Sequence, residues 1–526
     1  MSSLRHSHHA LGETPEPARA TRRCLDRAAA ASLETQRSDG SWATPAQPRI
    51  LENAVVPLAL AKAGCGCPHQ DRAHAWLRQA EPQRHDAFTA AADEWFRALA
   101  LNPAVPPAMP ALPRAGAAHR RRLMLLHTIG VAAGAPNCSP RELHAHATAA
   151  LGPEGGASLT GWHRAQLLSA KLIAGHAVGL PVDGDTVAAL TAEQAADGSF
   201  HAMPLVAATA CLALALVAPG RAATRGCTGR LLADQHTDGT WRFTTFDIWD
   251  TGLMVRCLRG HSVFDTRARP RALDFLARAQ SPQGGWGSVS AAIAGNGLAC
   301  DADTTGSTLL ALAGTGQGRR AWPAAAGYAR DHQDDRGLWT TWTTARDTVA
   351  QDTVAHMVAG IRAHGPEEVD VTPAARWLRR QHRGAGGWTA DWYVFPGYPA
   401  AEISPAVGWH TAEARAEARA LASAQNRDGG WPAFPGGSRS SPAATGLAAT
   451  VLTRCGTGTP QARARAARFL IDSQRDDGTW TEPDPSMCGP RPFLTDVPSQ
   501  AHALTCRGLI DLLRGPPAAG APAARA

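Results

Sequence analysis

The sequence predicts an all-α protein built from two α/α barrels. The main observation is a repeated unit in which a Gln is followed by a tight turn, usually Asp-Gly or Gly-Gly, and then by an aromatic residue. From Gln194 onward, the units are spaced by 41, 45, 53, 48, 44 and 49 residues. Periods of this length are typical of stacked helix pairs. The units begin at Gln36, Gln194, Gln235, Gln280, Gln333, Gln381, Gln425 and Gln474.

The segments on either side of each turn indicate two helices per unit. They are rich in Ala, Leu and Arg, which favour helices, and their apolar residues recur at helical spacing. Asp-Gly and Gly-Gly stop a helix and form the turn. Such pairs can form an open superhelix or a closed barrel of inner and outer helices, and the repeat alone fits both. In either case we expect the Gln and Trp to be structural, because an indole covers a helix end and an amide bonds to freed backbone groups.

The units fall into two groups, which predicts two domains. Three units precede the segment 259–270 and five follow it. We therefore predict an N-terminal barrel over residues 23–261 and a C-terminal barrel over residues 262–526. Residues 1–22 are predicted to pack on the C-terminal barrel. The functional site is expected between or inside the barrels.

The composition argues against a membrane-spanning or secreted protein. The chain has 526 residues, of which 44% are apolar, and its longest apolar run covers residues 205–218. That run is shorter than the roughly 20 residues that a helix needs to cross a bilayer. The N-terminus lacks the apolar core of a secretory signal, so we expect a cytoplasmic location. Eleven Cys at irregular spacings are then expected to be free thiols.

The positive charge indicates an anionic small ligand more than nucleic acid. The net charge is +7, but the Arg residues are scattered instead of forming a basic block. Lys occurs only at positions 62 and 171, so nearly all positive charge is guanidinium. A guanidinium keeps its proton and can bind phosphate oxygens in a fork, which suits a diphosphate.

The run Asp301-Ala302-Asp303-Thr304-Thr305 is the main candidate for chemistry. Two carboxyl groups that are this close cannot both ionise cheaply, so one keeps a proton near neutral pH and can act as an acid. The same run is also well suited to cap the helix predicted over residues 307–313. The run alone leaves both interpretations open.

Together, the repeated units and the Asp-x-Asp-Thr-Thr run resemble the class II terpene cyclases, which include squalene–hopene cyclase and the copalyl-type diterpene cyclases. The resemblance spans nearly the whole chain and implies a β-like C-terminal barrel with a γ-like N-terminal barrel inserted. It implies that Asp303 donates the proton that attacks an alkene and that Asp301 orients it. Thr304 stands where the family has a further Asp. This variant is most similar to drimane-type sesquiterpene cyclases, which implies farnesyl diphosphate as substrate and a bicyclic drimenyl diphosphate as product.

The resemblance also implies partners for the acid. The segment Asp352-Thr-Val-Ala-His356 is similar to one in hopene cyclase whose His bonds to the acidic Asp and strengthens it. The alternative is that His356 is an ordinary His on a helix face. Aromatic rings that face the cavity stabilise a passing cation by roughly 0.5–2 kcal/mol without trapping it. The residues predicted for this role are Trp342 and Trp392, with Trp339, Tyr393, Phe395 and Trp409 as further candidates.

Cyclases of this family that accept diphosphates often use Mg²⁺ held near the phosphates by acidic residues of the N-terminal barrel. The resemblance places this role on the stretch 81–86, with Glu81 and Asp86 as ligands. Arg164 and Lys171 are candidates for contacts with the diphosphate. Mg²⁺ prefers oxygen ligands and binds partly through the substrate's own phosphates.

Three alternatives remain open. The first is a class II diterpene or triterpene cyclase with the same mechanism, because cavity length is not visible in the sequence. The second is a protein-prenyltransferase-like subunit, but no zinc set of Asp, Cys and His is found at plausible positions. The third is a non-enzymatic helical-repeat scaffold that binds other proteins. A class I site is not expected, because Asp334-Asp335 and Asp476-Asp477 each lack a third carboxylate.

Overall fold

The computed structural model describes residues 16–65, 68–83, 85–111, 116–157, 159–293, 295, 297–342, 349–365, 367–489 and 493–516. Within these ranges the chain forms 22 α-helices and two short antiparallel strand pairs. None of the helices in the described ranges is long and apolar enough to cross a membrane.

The first group of helices lies between residues 50 and 233. These helices are α2 (Ile50–Lys62), α3 (Pro68–Gln79), α4 (Ala87–Leu101), α5 (Gly116–Ala133), α6 (Pro140–Leu151), α7 (Gly161–Ala177), α8 (Gly184–Ala192), α9 (Pro204–Val217) and α10 (Ala222–Ala233). We call this group the N-terminal barrel.

The second group combines the first helix with all helices after residue 246, and we call it the C-terminal barrel. Its helices are α1 (Glu16–Thr35), α11 (Asp247–Leu258), α12 (Ser262–Arg267), α13 (Arg269–Arg278), α14 (Ala302–Leu312), α15 (Gly316–Asp331), α16 (Gln351–Arg362), α17 (Thr372–Ala385), α18 (Tyr398–Val407), α19 (Ala412–Ser423), α20 (Pro442–Arg454), α21 (Pro460–Asp472) and α22 (Pro498–Arg514). The strands are β1 (Trp431–Pro432), β2 (Ser440–Ser441), β3 (Met487–Cys488) and β4 (Leu494–Thr495).

Six helices of the C-terminal barrel close into an inner ring. In ring order they are α11, α14, α16, α18, α20 and α22, and α22 packs back against α11. The helices α13, α15, α17, α19, α21 and α1 lie outside this ring. The inner helices are buried nearly all round, as α20 is from Pro442 to Thr453. This closed ring distinguishes the barrel from an open superhelix.

The repeated units connect the outer helices to one another. In the unit at Gln280, the amide Nε2 donates to the carbonyl of Gly284 at 2.8 Å and to that of Ala321 on α15 at 2.9 Å. Trp286 Nε1 donates to the carbonyl of Leu276, ten residues earlier. The repeat tryptophans that make this same ten-residue bond are Trp42, Trp241, Trp286, Trp339, Trp388, Trp431 and Trp480.

Helix α1 completes the C-terminal barrel. The amide of Gln474, in the last unit, donates to the carbonyl of Cys24, and the amide of Gln36 donates to that of Ala268. The apolar side chains of residues 24–46 accordingly pack in the same core as those of residues 243–510. The predicted N-terminal barrel began at residue 23 and ended at 261, whereas the apolar core of that barrel is formed by residues 50–241 together with Phe493. Of the predicted segment 1–22, residues 1–15 lie outside the described residues.

A hairpin of the C-terminal barrel reaches into the N-terminal barrel. Phe493 packs against Phe88 and Phe96, with ring centroids 6.3 and 5.7 Å away. Next to it, Gln83 Nε2 donates to the carbonyl of Leu494 at 2.6 Å, and the Leu494 amide donates back to Gln83 Oε1 at 3.1 Å. The stretch 81–86 therefore lies where the two barrels meet.

Close approach of α14 and α16 requires a glycine at position 306. A Cβ atom there would lie 2.4 Å from the carbonyl carbon of His356. We expect Gly306→Ala to lower the free energy of unfolding by about 1–3 kcal/mol, because the two backbones would have to separate. Gly229→Ala on α10 is the matched control, since a Cβ there meets nothing within 4 Å. Thermal unfolding should show a lower midpoint for the first variant and an unchanged or higher one for the second; equal midpoints would contradict this packing.

Candidate active site

The acidic run lies where α14 begins, inside the inner ring. Asp301 is the N-cap of α14: its Oδ1 accepts from the Thr304 amide at 2.6 Å and its Oδ2 from the Thr304 hydroxyl at 2.9 Å. The helix-cap interpretation is therefore correct for Asp301. Asp303 lies in the first turn of the helix, where it plays no part in the cap. The acid interpretation of Asp303 stays a prediction.

The two carboxyl groups are buried together. Asp301 is 2% exposed and Asp303 4%. Burial, and after it the neighbouring Asp303, raises the pKa of Asp301 to about 8, against the hydrogen bonds from Thr304. The pair therefore retains a proton in neutral solution. Both oxygens of Asp301 accept hydrogen bonds from Thr304, whereas the carboxyl group of Asp303 is not used in the helix cap.

His356 lies between two carboxyl groups and is fully buried. Its Nδ1 is 2.7 Å from Asp303 Oδ1 and its Nε2 is 2.8 Å from Glu402 Oε2. Burial opposes charge on the ring, but Asp303 and Glu402 outweigh it and raise the pKa of His356 to about 9. The ring is then an imidazolium that donates to both carboxyl groups. The predicted contact between His356 and Asp303 is present.

Glu402 extends this chain to two arginines. Arg256 on α11 and Arg507 on α22 each donate to one of its carboxylate oxygens. Arg256 also donates to the Ser307 hydroxyl at 2.9 Å, which ties the group to α14. Burial opposes ionisation of Glu402, but the two arginines hold its pKa well below the usual value. Sequence reasoning missed these three residues, although a lone Glu within the apolar segment Ala-Ala-Glu-Ile is a signal, because a buried charge needs partners.

Asp352 fixes the loop that carries Trp392. It lies one helical turn before His356 on α16, and its Oδ2 accepts from the amides of Asp391 at 2.9 Å and Trp392 at 3.4 Å. Burial and then the nearby Asp303 raise the pKa of Asp352 to about 7. The segment 352–356 thus provides the hydrogen-bond partner of Asp303, which is His356. Through Asp352, it also holds the loop that carries Trp392.

Three tryptophans meet beside the acid. Trp342 pairs with the backbone of Asp301 in a β-bridge. Its ring contacts Trp392 edge to face at 6.4 Å and Trp162 at 5.8 Å. Trp162 lies in the first turn of α7 in the N-terminal barrel, and sequence reasoning did not select it because it belongs to no repeated unit. The predicted residues Trp342 and Trp392 are therefore brought together at the junction of the barrels.

Tyr393 and Phe395 form a buried layer behind His356. The Tyr393 hydroxyl accepts from Trp249 Nε1 at 2.9 Å and donates to Gln500 Oε1 at 2.6 Å. Phe395 stacks on Tyr393 at 6.2 Å, and Trp249 contacts His356 edge to face at 5.9 Å. The hydroxyl of Tyr393 is thus committed to structural hydrogen bonds.

The other two predicted aromatics lie elsewhere. Trp339 is fully buried and donates to the carbonyl of Ala329, as the other repeat tryptophans do with the residue ten positions earlier. Trp409 follows the C-terminal end of α18, whereas Asp301 and Asp303 lie at the N-terminal end of α14.

The predicted diphosphate and metal residues are engaged in local contacts. Arg164 bonds to Glu193 and to the Gly155 carbonyl, and Lys171 bonds to Asp183 at 2.8 Å. Asp86 caps α4 by accepting from the Thr89 amide at 2.8 Å, while Glu81 is exposed. Among the residues that the structure describes, no three His, Cys, Asp or Glu side chains are grouped to hold a metal. The predicted Mg²⁺ site, which would also use the phosphates of the substrate, stays a prediction.

The site thus contains a buried carboxyl pair that is hydrogen-bonded to His356. Such an arrangement is suited to a reaction that begins with proton donation. Residues 343–498 match the squalene-hopene cyclase C-terminal domain. Over 95% of its length the chain is 30% identical to the drimenyl diphosphate synthase of Streptantibioticus cattleyicolor, of which it covers 96%. It is 32% identical to that of Streptomyces showdoensis over 45% of each chain. The chain belongs to the class II terpene cyclase family.

Solved structures confirm the predicted fold class. The chain superposes on ent-copalyl diphosphate synthase from Streptomyces platensis with a TM-score of 0.55 and 16% identity, over 95% of this chain and all of that one. For abietadiene synthase from Abies grandis the TM-score is 0.51 at 12% identity, over 94% of this chain and 59% of that one. At these identities the likeness concerns the fold alone.

Proposed function

We propose that this terpene cyclase converts farnesyl diphosphate into drimenyl diphosphate. The observation that carries the proposal is the buried pair of Asp301 and Asp303 in contact with His356. The choice of a C15 substrate is supported by Thr304 in place of a further carboxylate and by the similarity to two drimenyl diphosphate synthases. Glu81, Asp86, Arg164 and Lys171 enter the proposal only as residues that could lie near the diphosphate.

In the proposed reaction, Asp303 gives its proton to the distal alkene. The π electrons of that alkene form the new C–H bond and leave a tertiary cation. Two further alkenes attack in turn, which forms two C–C bonds and a bicyclic cation, and loss of a neighbouring proton restores an alkene. The product is thus an isomer of the substrate. The diphosphate stays attached because no step ionises its C–O bond.

The residues around Asp303 serve this reaction in two ways. The imidazolium of His356 stabilises the carboxylate that remains after proton transfer, which makes Asp303 a stronger acid. The rings of Trp342 and Trp392 offer π faces to the cation and no nucleophile. A Mg²⁺ ion would neutralise charge on the substrate, bound mainly through diphosphate oxygens.

Product analysis tests the proposal. The enzyme should be incubated separately with farnesyl diphosphate, geranylgeranyl diphosphate and squalene, and the products dephosphorylated and identified by mass spectrometry. We expect a bicyclic C15 alcohol from farnesyl diphosphate, released only after phosphatase treatment, with a lower rate in excess EDTA. Turnover of squalene or of the C20 diphosphate alone would favour the diterpene or triterpene alternative. No cyclic product from any of the three substrates would contradict the proposal.

The remaining alternatives have less support. A non-enzymatic scaffold does not account for a buried pair of carboxyl groups that is hydrogen-bonded to His356. The zinc site that a prenyltransferase-like subunit requires is not formed by the described residues. A cytoplasmic location stays a prediction.

A further inference from the structure

Glu402 lies at the centre of a buried charge cluster in the C-terminal barrel. Its side chain is 1% exposed, and those of Arg256 and Arg507 are 11% and 16% exposed. The three residues come from three inner helices, α18, α11 and α22, and the fourth partner, His356, comes from α16. The cluster therefore joins four of the six helices of the inner ring directly behind the acid.

In this cluster a single acidic side chain is surrounded by three basic ones. One carboxylate, Glu402, is shared by two guanidinium groups and one imidazole ring. A single Arg would be enough to balance one Glu, as Arg49 balances Glu52 in the N-terminal barrel. Instead, the cluster carries two surplus positive charges when His356 is protonated, and the carboxylate formed on Asp303 would offset one of them.

We infer that Glu402 is a positioning residue that keeps His356 protonated and aimed at Asp303, and that Arg256 and Arg507 keep Glu402 ionised for this purpose. This inference rests on the proposed function. It makes the acidity of Asp303 depend on a chain of contacts that runs from Glu402 to His356 and from His356 to Asp303. Glu402 touches neither Asp303 nor, in this account, the substrate.

The geometry explains why one hydrogen bond to His356 would not be enough. In the proposed reaction Asp303 bears the proton before transfer, so at that stage the charge on His356 has to be held by Glu402. The bond from His356 Nε2 to Glu402 at 2.8 Å does not depend on the proton of Asp303. The imidazolium is thus already in place when the negative charge develops on Asp303, and no reorganisation is needed. The charged or titratable groups around His356 are Asp301, Asp303, Asp352, Glu402, Arg256, Arg507, Tyr393 and Tyr398.

The pH profile of Glu402→Gln tests the inference. The amide keeps the shape of the side chain and removes its charge, so the His356 ring should lose its proton at lower pH. Activity needs the imidazolium, which is lost as the pH rises through its pKa of about 9, and the proton of the carboxyl pair, which is lost near the pKa of about 8 of Asp301. In the variant we expect the alkaline midpoint of kcat to fall by about one pH unit or more, with KM little changed. The control is Glu52→Gln, which removes the carboxylate of the buried Arg49–Glu52 pair in the N-terminal barrel. This variant should leave the pH profile of kcat unchanged.

A measurement on the wild-type enzyme covers the case in which Glu402→Gln does not fold. In protein labelled with ¹⁵N-histidine, the ring of His356 is identified by its loss in His356→Gln. We expect both of its nitrogens to carry protons at pH 7.5. A neutral ring at that pH, or an unchanged alkaline midpoint in Glu402→Gln, would overturn the inference. Absence of cyclised product from the wild type at every pH would instead overturn the proposed function, and the NMR result would still decide the state of His356.

Discussion

Asp303→Asn is expected to abolish cyclisation while the fold is retained. The amide has nearly the shape of the carboxyl group and can still accept from His356 Nδ1, but it has no acidic proton to give. General acid catalysis typically contributes 10² to 10⁴ in rate, and here no alternative path to the cation is available. We therefore expect product formation to fall by about 10⁴ or more.

Three measurements make this prediction specific. Product formation is followed by mass spectrometry, folding by thermal unfolding, and substrate binding by calorimetry. The variant should bind substrate and unfold near the wild-type midpoint. Asp335→Asn, a change of the same chemistry at an exposed turn, should leave the rate unaltered. Cyclisation by Asp303→Asn at near wild-type rate would show that the acid is another group.

His356→Gln is expected to give the second largest loss, about 10²-fold in rate, with the product unchanged. The substitution removes the imidazolium that stabilises the carboxylate left on Asp303, but it does not alter the aromatic wall of Trp342 and Trp392. Single-turnover kinetics separates this step from product release.

The control for this prediction is another His of the same region. His364 follows α16, stacks on Trp322 at 5.6 Å and bonds to the Leu309 carbonyl at 2.8 Å, outside the acid network. His364→Gln should therefore keep the wild-type rate. A changed product with an unchanged rate in His356→Gln would mean that His356 shapes the cavity instead of supporting the acid.

The architecture was predictable because its determinants are local and repeated. Each unit carries its own turn and Gln, and seven of the eight carry a Trp; the bonds made by Gln280 and Trp286 recur in other units, as at Gln474 and Trp480. The boundary between the two barrels was harder to predict from the sequence. Helix α1 is far in sequence from α21 and α22 but completes the ring of outer helices, and no local pattern encodes such a long-range contact.

The candidate site was predictable where a motif extends along one helix or follows a repeated unit, as Trp342 and Trp392 do. Asp301, Asp303 and Thr304 share the start of α14, and Asp352 and His356 share one face of α16. Glu402, Arg256 and Arg507 come from three different helices and meet only across the ring, so spacing in the sequence cannot pair them. The same holds for Trp162, which reaches Trp342 from the other barrel.

The tryptophans show a further limit of sequence patterns. Trp339 and Trp342 are three residues apart and chemically identical, yet one locks an outer helix and the other lies beside Asp301. What separates them is the bond from the repeat Trp to the carbonyl ten residues earlier. Once that bond is known, it identifies the structural tryptophan of each unit.

The most direct test of the account is the reaction of farnesyl diphosphate in D₂O. If Asp303 delivers a proton that exchanges with solvent, the cyclic product should gain deuterium at the carbon of the former distal alkene and still carry its diphosphate. Asp303→Asn should form no labelled product under the same conditions. A cyclic product without that label, or one formed with release of inorganic diphosphate, would contradict protonation as the first step.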